Sequence, residues 1–221
     1  MPLDPLPPAR RLLAVVAHPD DESFGLGGLI AAFVHAGVPV DVLCFTHGEA
    51  STLGRHDGQD LGERRAAELA AAGDVLGVDR TELLAWPDGG LADRPVVELA
   101  VPIAAMARET GADALLAFDH SGVTGHPDHR RATAAARTVA DAVGLAAFAW
   151  ALPEPVATQL NREFGATFVG YPPDELPMAV PVDRQRQRCA IACHASQATD
   201  NPVLWRRLAL SGSTDHLRSL T

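Results

Sequence analysis

The chain is poor in cysteine and tyrosine and has no strongly basic or long apolar stretch, and each shortage closes off a class of protein. Three cysteines in 221 residues, Cys44, Cys189 and Cys193, are too few and odd in number for a disulfide framework. Cys189 and Cys193 stand four apart on an expected helix, where two thiolates can face one metal. Thiols so placed are more often small core residues, and that is the expectation here. Lys and Arg number 18 against 28 Asp and Glu, a formal charge of −10, and no basic run forms the patch that a phosphate backbone requires. Nucleic acid and anionic membranes are not expected partners. The longest apolar stretches, residues 12–17 and 145–152, fall short of the roughly 20 residues of a spanning helix. The opening MPLDPLPPARR lacks the basic start and apolar centre of a secretory signal, so a cytoplasmic location without membrane insertion is expected.

What is present is an alternation. Val- and Leu-rich runs at 11–17, 39–45, 80–85, 113–118 and 146–151 read as strands, and segments of helical period lie between them. Leu26, Leu29, Ile30 and Phe33 form one stripe, Ala66, Leu69, Ala70 and Gly73 a second within 61–77, and Ala132, Ala135, Ala136, Val139, Ala140 and Val143 a third within 127–143. The pattern predicts an α/β fold, a Rossmann-like and mostly parallel sheet with helices on both faces. Pro102 should kink or divide a helix at 94–109. After residue 152 the rhythm changes. PEPVATQLNREF reads as a short helix, ATFVGY and MAVPVD as short strands forming a peripheral pair, and 183–198 as a helix. One domain over 1–221 is expected, with residues 1–10 as an extended Pro-rich arm and 153–221 as a small C-terminal elaboration that shapes the pocket. The sequence is compatible with a homo-oligomer.

AHPDDE, residues 17–22, follows the first strand at the carboxyl end, where open parallel sheets place ligands. His18 and Asp21 offer a nitrogen and a carboxylate to one divalent metal, with Asp20 beside them. The competing reading makes His18 and Asp21 helix caps and Asp20 a solvated acid. The glycines of SFGLGG are mis-spaced for a dinucleotide fingerprint, because residue 30 is Ile30. GHPDH, residues 125–129, follows the fourth strand. Pro127 and Asp128 suit the first turn of a helix, and His126 and His129 exceed what a helix start needs. If the strands are parallel, both segments reach the same sheet edge. His18, Asp21 and His129 then form a three-ligand set with an open fourth position, as in catalytic zinc sites, although Fe2+ fits the same ligands.

With these residues placed, the chain resembles the LmbE-like, or PIG-L, family of zinc-dependent deacetylases of N-acetylglucosamine-containing compounds. AHPDDE and HPDH carry the resemblance, with RAAEL at 65–69, WPDGGL containing Asp88, and CHASQ at 193–197 in the same order. The resemblance assigns His18, Asp21 and His129 to zinc, Asp20 to the general base, and His126 to the developing oxyanion, with Asp128 helping to keep His126 charged. It gives Arg65 and Asp88 to sugar hydroxyls. Read as residues alone, Arg65 is equally a solvated helix face and Asp88 a turn residue. His194 is expected to pack beneath the cleft in support of it, and His35, His47, His56, His120 and His216 receive no role. The thiol-glycoside deacetylases of the family carry a tyrosine two residues before HPDH, where this chain has Thr124; the only tyrosine, Tyr171, falls in the peripheral region. The implied activity is removal of an N-acetyl group from a small amino sugar. The alternatives are an amidase of a larger thiol conjugate or other amide, and a non-catalytic sugar- or metal-binding module.

Overall fold

A computed structural model describes residues 5–53 and 60–220. The apolar runs form parallel strands β1 (Leu12–Val16), β2 (Val40–Thr46), β3 (Arg80–Trp86), β4 (Ala114–Phe118) and β5 (Ala146–Pro153). Their spatial order is β3-β2-β1-β4-β5, with every neighbouring pair parallel. This is the doubly wound order whose direction reverses beside the first strand. Successive side chains of β1 point to opposite faces. Leu12, Ala14 and Val16 join one apolar core, and Leu13 and Val15 the other. Helices α2 (Gly27–His35) and α3 (Leu61–Leu76) cover the first face, and α4 (Val96–Thr110) and α5 (Pro127–Val143) the second. β3 is the edge strand, and its exposed Arg80 and partly exposed neighbours blunt that edge with charge.

Pro102 lies inside α4 without dividing it. The ring removes only the hydrogen bond to the Glu98 carbonyl, and Leu99, Ile103 and Met106 stay fully buried on the core side. The C-terminal third departs further from expectation. It holds α6 (Glu154–Phe164), β6 (Gly170–Tyr171), β7 (Met178–Pro181), α7 (Arg184–Cys193), α9 (Pro202–Ser211) and β8 (Thr214–Ser219). β6 and β7 do not pair with each other. β6 runs parallel to the end of β5, whereas β7 lies antiparallel to β8, which inserts between it and β5. β8 escaped the sequence reading because its inward positions include a charge: Asp215 is buried and held by Arg184. The expected helix over 183–198 breaks at His194, which leaves the helical conformation at φ −86°, ψ 53°, and a short α8 (Ala195–Ala198) follows.

Cys189 is exposed rather than part of the core, and Cys193 is half-buried against it. Tyr171 is not peripheral either: it is buried, and its hydroxyl donates to Asp119 Oδ1 at 2.7 Å, bracing the loop that follows β4. Residues 5–10 of the arm contain no helix or strand, and Leu6 packs on the core; residues 1–4 and His56 lie outside the described residues. Among the described residues no helix is long and apolar enough to cross a membrane.

Candidate active site

β1 and β4 are neighbours at the point where strand order reverses, so the loops leaving their carboxyl ends face each other. Each loop contains one strained residue. Among the described residues only Asp20 (φ 118°) and Val123 (φ 67°) are non-glycines with positive φ, a conformation costing about 1–3 kcal/mol that persists only where surrounding contacts impose it. Asp21 Oδ2 accepts the backbone N–H groups of Ala17 and His18 at 3.2 and 2.9 Å, which folds the AHPDDE turn onto its own strand. On the other loop His126 caps α5, with Pro127 at the first helical position and Asp128 in the first turn.

The two segments meet. His18 Nδ1 lies 3.2 Å from His129 Nε2, Asp21 Oδ1 is 3.2 Å from that same nitrogen, and Asp21 Oδ2 is 3.5 Å from His18 Nδ1. Tetrahedral ligands bound to zinc at about 2.0–2.1 Å stand about 3.3 Å apart, so this spacing suits one divalent cation. His129 is oriented from behind by the Gly122 carbonyl, 3.2 Å from Nδ1. Among the described residues, the groups of three that each bring one ligand atom within 4.8 Å of the others are His18 with His126 and His129, and His18 with Asp88 and Asp128; Asp21 reaches His18 and His129 through different oxygens. Burial works against charge on Asp21, but His129 and His18 beside it outweigh this and hold its carboxyl well below the usual range.

Asp88 and Asp128 sit on the far side of His18. Asp88 Oδ1 is 3.0 Å and Asp128 Oδ2 3.5 Å from the buried His18 Nε2. Both acids also accept from backbone: Asp88 from Ala50 N–H, and Asp128 from Gly89 and Leu91 N–H. Asp88 thus touches a candidate ligand while still lining the cleft. Asp128 bonds its carboxylate to the PDGG turn and not to the His126 ring. His126 Nδ1 accepts the Asp128 backbone N–H at 3.2 Å, leaving Nε2 to carry the proton of the neutral ring. Burial, together with the neighbouring His129 and His18, lowers its pKa. The neutral imidazole is thus favoured, contrary to the charged ring expected from the sequence.

The weaker motifs form a brace around Asp20. Arg65 is buried, not a solvated face. Its Nη1 donates to the Gly48 carbonyl, and Nη2 donates to the Pro19 carbonyl and to Asp20 Oδ2, the latter at 3.0 Å, so only Nε lacks a partner. A Cβ on Gly48, whose φ is +66°, would overlap this guanidinium. Glu68 accepts from the Ser196 N–H and hydroxyl at 2.9 and 2.6 Å, tying α3 to the CHASQ segment. His194 is fully buried with Nε2 2.6 Å from Glu22 Oε1, while Glu22 Oε2 accepts the Asp20 N–H at 2.9 Å. Burial raises the Asp20 carboxyl to about 7, with Arg65 opposing the rise.

His18, Asp20, Asp21, Arg65, Asp88, His126 and His129 all line one polar cleft of about 510 Å³. Ser51, Thr52 and Gln197 line it too, with Ser51 donating to Gln197 Oε1 at 2.7 Å. Ser51 and Thr52 carry no sequence signal of their own, whereas Gln197 closes the CHASQ segment without having been singled out. Glu22 was missed as well, although a third acid in one short motif was a usable clue. His35, His47, His120 and His216 do not line the cleft.

A doubly wound sheet with a His/Asp cluster at its switch point, beside a buried carboxyl in an open polar cleft, is an arrangement suited to metal-assisted hydrolysis. The chain belongs to the PIG-L: GlcNAc-PI de-N-acetylase family, whose profile matches residues 13–140. It is 34% identical to a 1D-myo-inositol 2-acetamido-2-deoxy-alpha-D-glucopyranoside deacetylase of Nakamurella multipartita, over 85% of this chain and 79% of the relative. Among solved structures it resembles the N,N'-diacetylchitobiose deacetylase of Pyrococcus horikoshii, with a TM-score of 0.68 at 21% identity, covering 96% of this chain and 84% of that one. It also resembles a 4-carboxy-2-hydroxymuconate hydratase, GalB, of Pseudomonas putida, with a TM-score of 0.72 at 18% identity, covering 96% of each. The fold alone thus serves more than one reaction.

Proposed function

We propose that this protein removes the N-acetyl group from an N-acetylglucosamine-type substrate by metal-assisted hydrolysis. The observation that carries the reading is the convergence of His18 Nδ1, Asp21 and His129 Nε2 at 3.2–3.5 Å beside the Asp20 carboxyl. Those three residues hold the cation, and two nitrogens with one carboxylate suit zinc. A bound zinc ion supplies polarisation of the amide carbonyl and a more acidic water. Asp20 takes the proton as water attacks, since a carboxyl titrating near 7 can both accept and return one at neutral pH. Arg65 and the Glu22 carboxylate hold its backbone and side chain in place. The neutral His126 donates from Nε2 to the oxygen on which negative charge grows. Asp20 then passes its proton to the departing amine.

The full chain loaded with zinc is expected to release acetate from N-acetylglucosamine or one of its simple glycosides. Failure across a panel of such glycosides, with sugar binding retained, would show a binding module.

Asp88 acts here on the His18 ring, as carboxylates behind metal-bound imidazoles do. Asp88→Asn is expected to weaken zinc about 10–100-fold in a chelator competition. Unchanged zinc affinity with a raised KM would instead return Asp88 to the sugar.

A further inference from the structure

A second cavity adjoins the polar cleft. It measures about 310 Å³ and shares Asp21, Leu53 and His129 with the cleft, so the candidate metal ligands form the wall between the two. Apart from Thr124, Asn201 and Arg207, the rest of its lining is apolar and comes largely from outside the two motifs, with Phe24, Phe118, Trp150, Phe168 and Leu204. The floor is continuous. The ring of His129 lies 5.0 Å from Phe118, Phe118 5.5 Å from Trp150, and the Arg207 guanidinium 5.0 Å over Trp150. Gly25 completes it, because a Cβ there would come within 2.2 Å of the Phe118 ring.

Arg207 at the far end is 6% exposed. Its guanidinium donates to the Phe24 carbonyl, and among the described residues no carboxylate pairs with it. Asp215, the acid whose charge it feels, is held on both oxygens by Arg184 at 2.7 and 2.9 Å. Burial pushes Arg207 down to about 10. A guanidinium left buried without an anion is costly, and a bidentate carboxylate is the group that best removes that cost.

An amide has two arms. With the amino sugar in the polar cleft and the carbonyl at the shared wall, the acyl arm enters the apolar cavity, which is far larger than a methyl group fills. We infer that the enzyme accepts acyl groups longer than acetyl whose apolar stem ends in a carboxylate, with Phe118, Trp150 and Leu204 around the stem and Arg207 pairing with the carboxylate. This rests on the amide-hydrolase reading above. Hydrolysis adds the OH of water to the acyl carbon and its hydrogen to the amine nitrogen, so the products are a dicarboxylic acid and the free amino sugar.

Two measurements on the zinc-loaded full chain test this. In the first, kcat/KM is compared for glucosamine N-acylated with acetyl, hexanoyl or adipoyl groups. Adipoyl is expected to exceed hexanoyl at least tenfold, the smallest ratio that a hydrogen-bonded charge pair of about 1.5–3 kcal/mol supports, and Arg207→Met is expected to bring the two to parity. In the second, independent of turnover, calorimetry compares adipic acid monoamide with hexanamide, and the same tenfold preference and the same loss in Arg207→Met are expected. Arg207→Lys, which retains the charge, should keep part of the preference if the first variant folds poorly. Hexanoyl turnover equal to adipoyl would overturn the carboxylate, and turnover of acetyl alone would overturn the acyl pocket while leaving deacetylation standing. No turnover of any amide, with the monoamide preference intact, would sink the hydrolase reading and leave the pocket.

Discussion

Asp20→Asn is expected to keep zinc bound and lower kcat by about 10²–10⁴-fold, the usual contribution of a positioned general base. Asparagine preserves the shape that Arg65 and the Glu22 carboxylate grip, while removing a carboxyl that burial raises to about 7. Metal content after dialysis and steady-state turnover separate base from ligand: zinc lost together with activity would make Asp20 a ligand, and activity retained would remove it from the mechanism. A stability measurement checks the same carboxyl without substrate. In the metal-free protein the folded state keeps the Asp20 proton up to about pH 7, whereas the unfolded chain releases it near the ordinary value of 3.8. The proton-linked contribution is therefore full in acid and is lost as pH rises from about 4 to 7. Asp20→Asn lacks that loss, so its Tm should gain on the wild type across this window. Parallel Tm curves would mean that the carboxyl titrates normally.

Glu22→Ala should destabilise the protein by about 3–5 kcal/mol in urea unfolding, the cost of stranding one member of a buried ion pair. Both Glu22 and His194 are fully buried, and their atoms approach to 2.6 Å. Burial opposes charge on His194, but Glu22 outweighs it and raises the imidazole above its ordinary value. The proton-linked contribution of His194 is present below pH 6.5 and fades as pH rises through the raised value. Adding His194→Ala should cost much less than the sum of the single changes, because the stranded partner is removed. Additive losses would show that the two groups do not interact. The same change frees the Asp20 N–H from Glu22 and relaxes a backbone held at φ 118°, so kcat should fall even in the folded fraction.

Glu22 illustrates why part of the site was hidden. AHPDDE displays three acids in a row, and nothing local distinguishes the one bound for a buried histidine 172 positions away. Arg65 is similar: its position on an amphipathic helix suits a solvated face, yet the turn at Gly48 and the strained Asp20 loop close over it. Asp88 was legible as a site residue but not as a partner of His18, because the PDG turn looks the same whether its acid meets sugar, solvent or an imidazole. The C-terminal third was the least legible. α9 and β8 offer weak periodicity, since Arg207 and Asp215 occupy inward positions normally filled by apolar side chains.

The strand pattern, the helix stripes and the two His/Asp motifs were determined by sequence alone, because side-chain periodicity and helix-start chemistry are local. Parallel pairing of β1 with β4 then made convergence of the motifs a geometric consequence. Only the tertiary structure decided which nitrogen of His18 faces His129, that burial lowers the pKa of His126, and that a largely apolar cavity ending in Arg207 opens beside the candidate ligands. Those properties depend on burial and on partners distant in the chain, and both exist only once the sheet has brought the loops together.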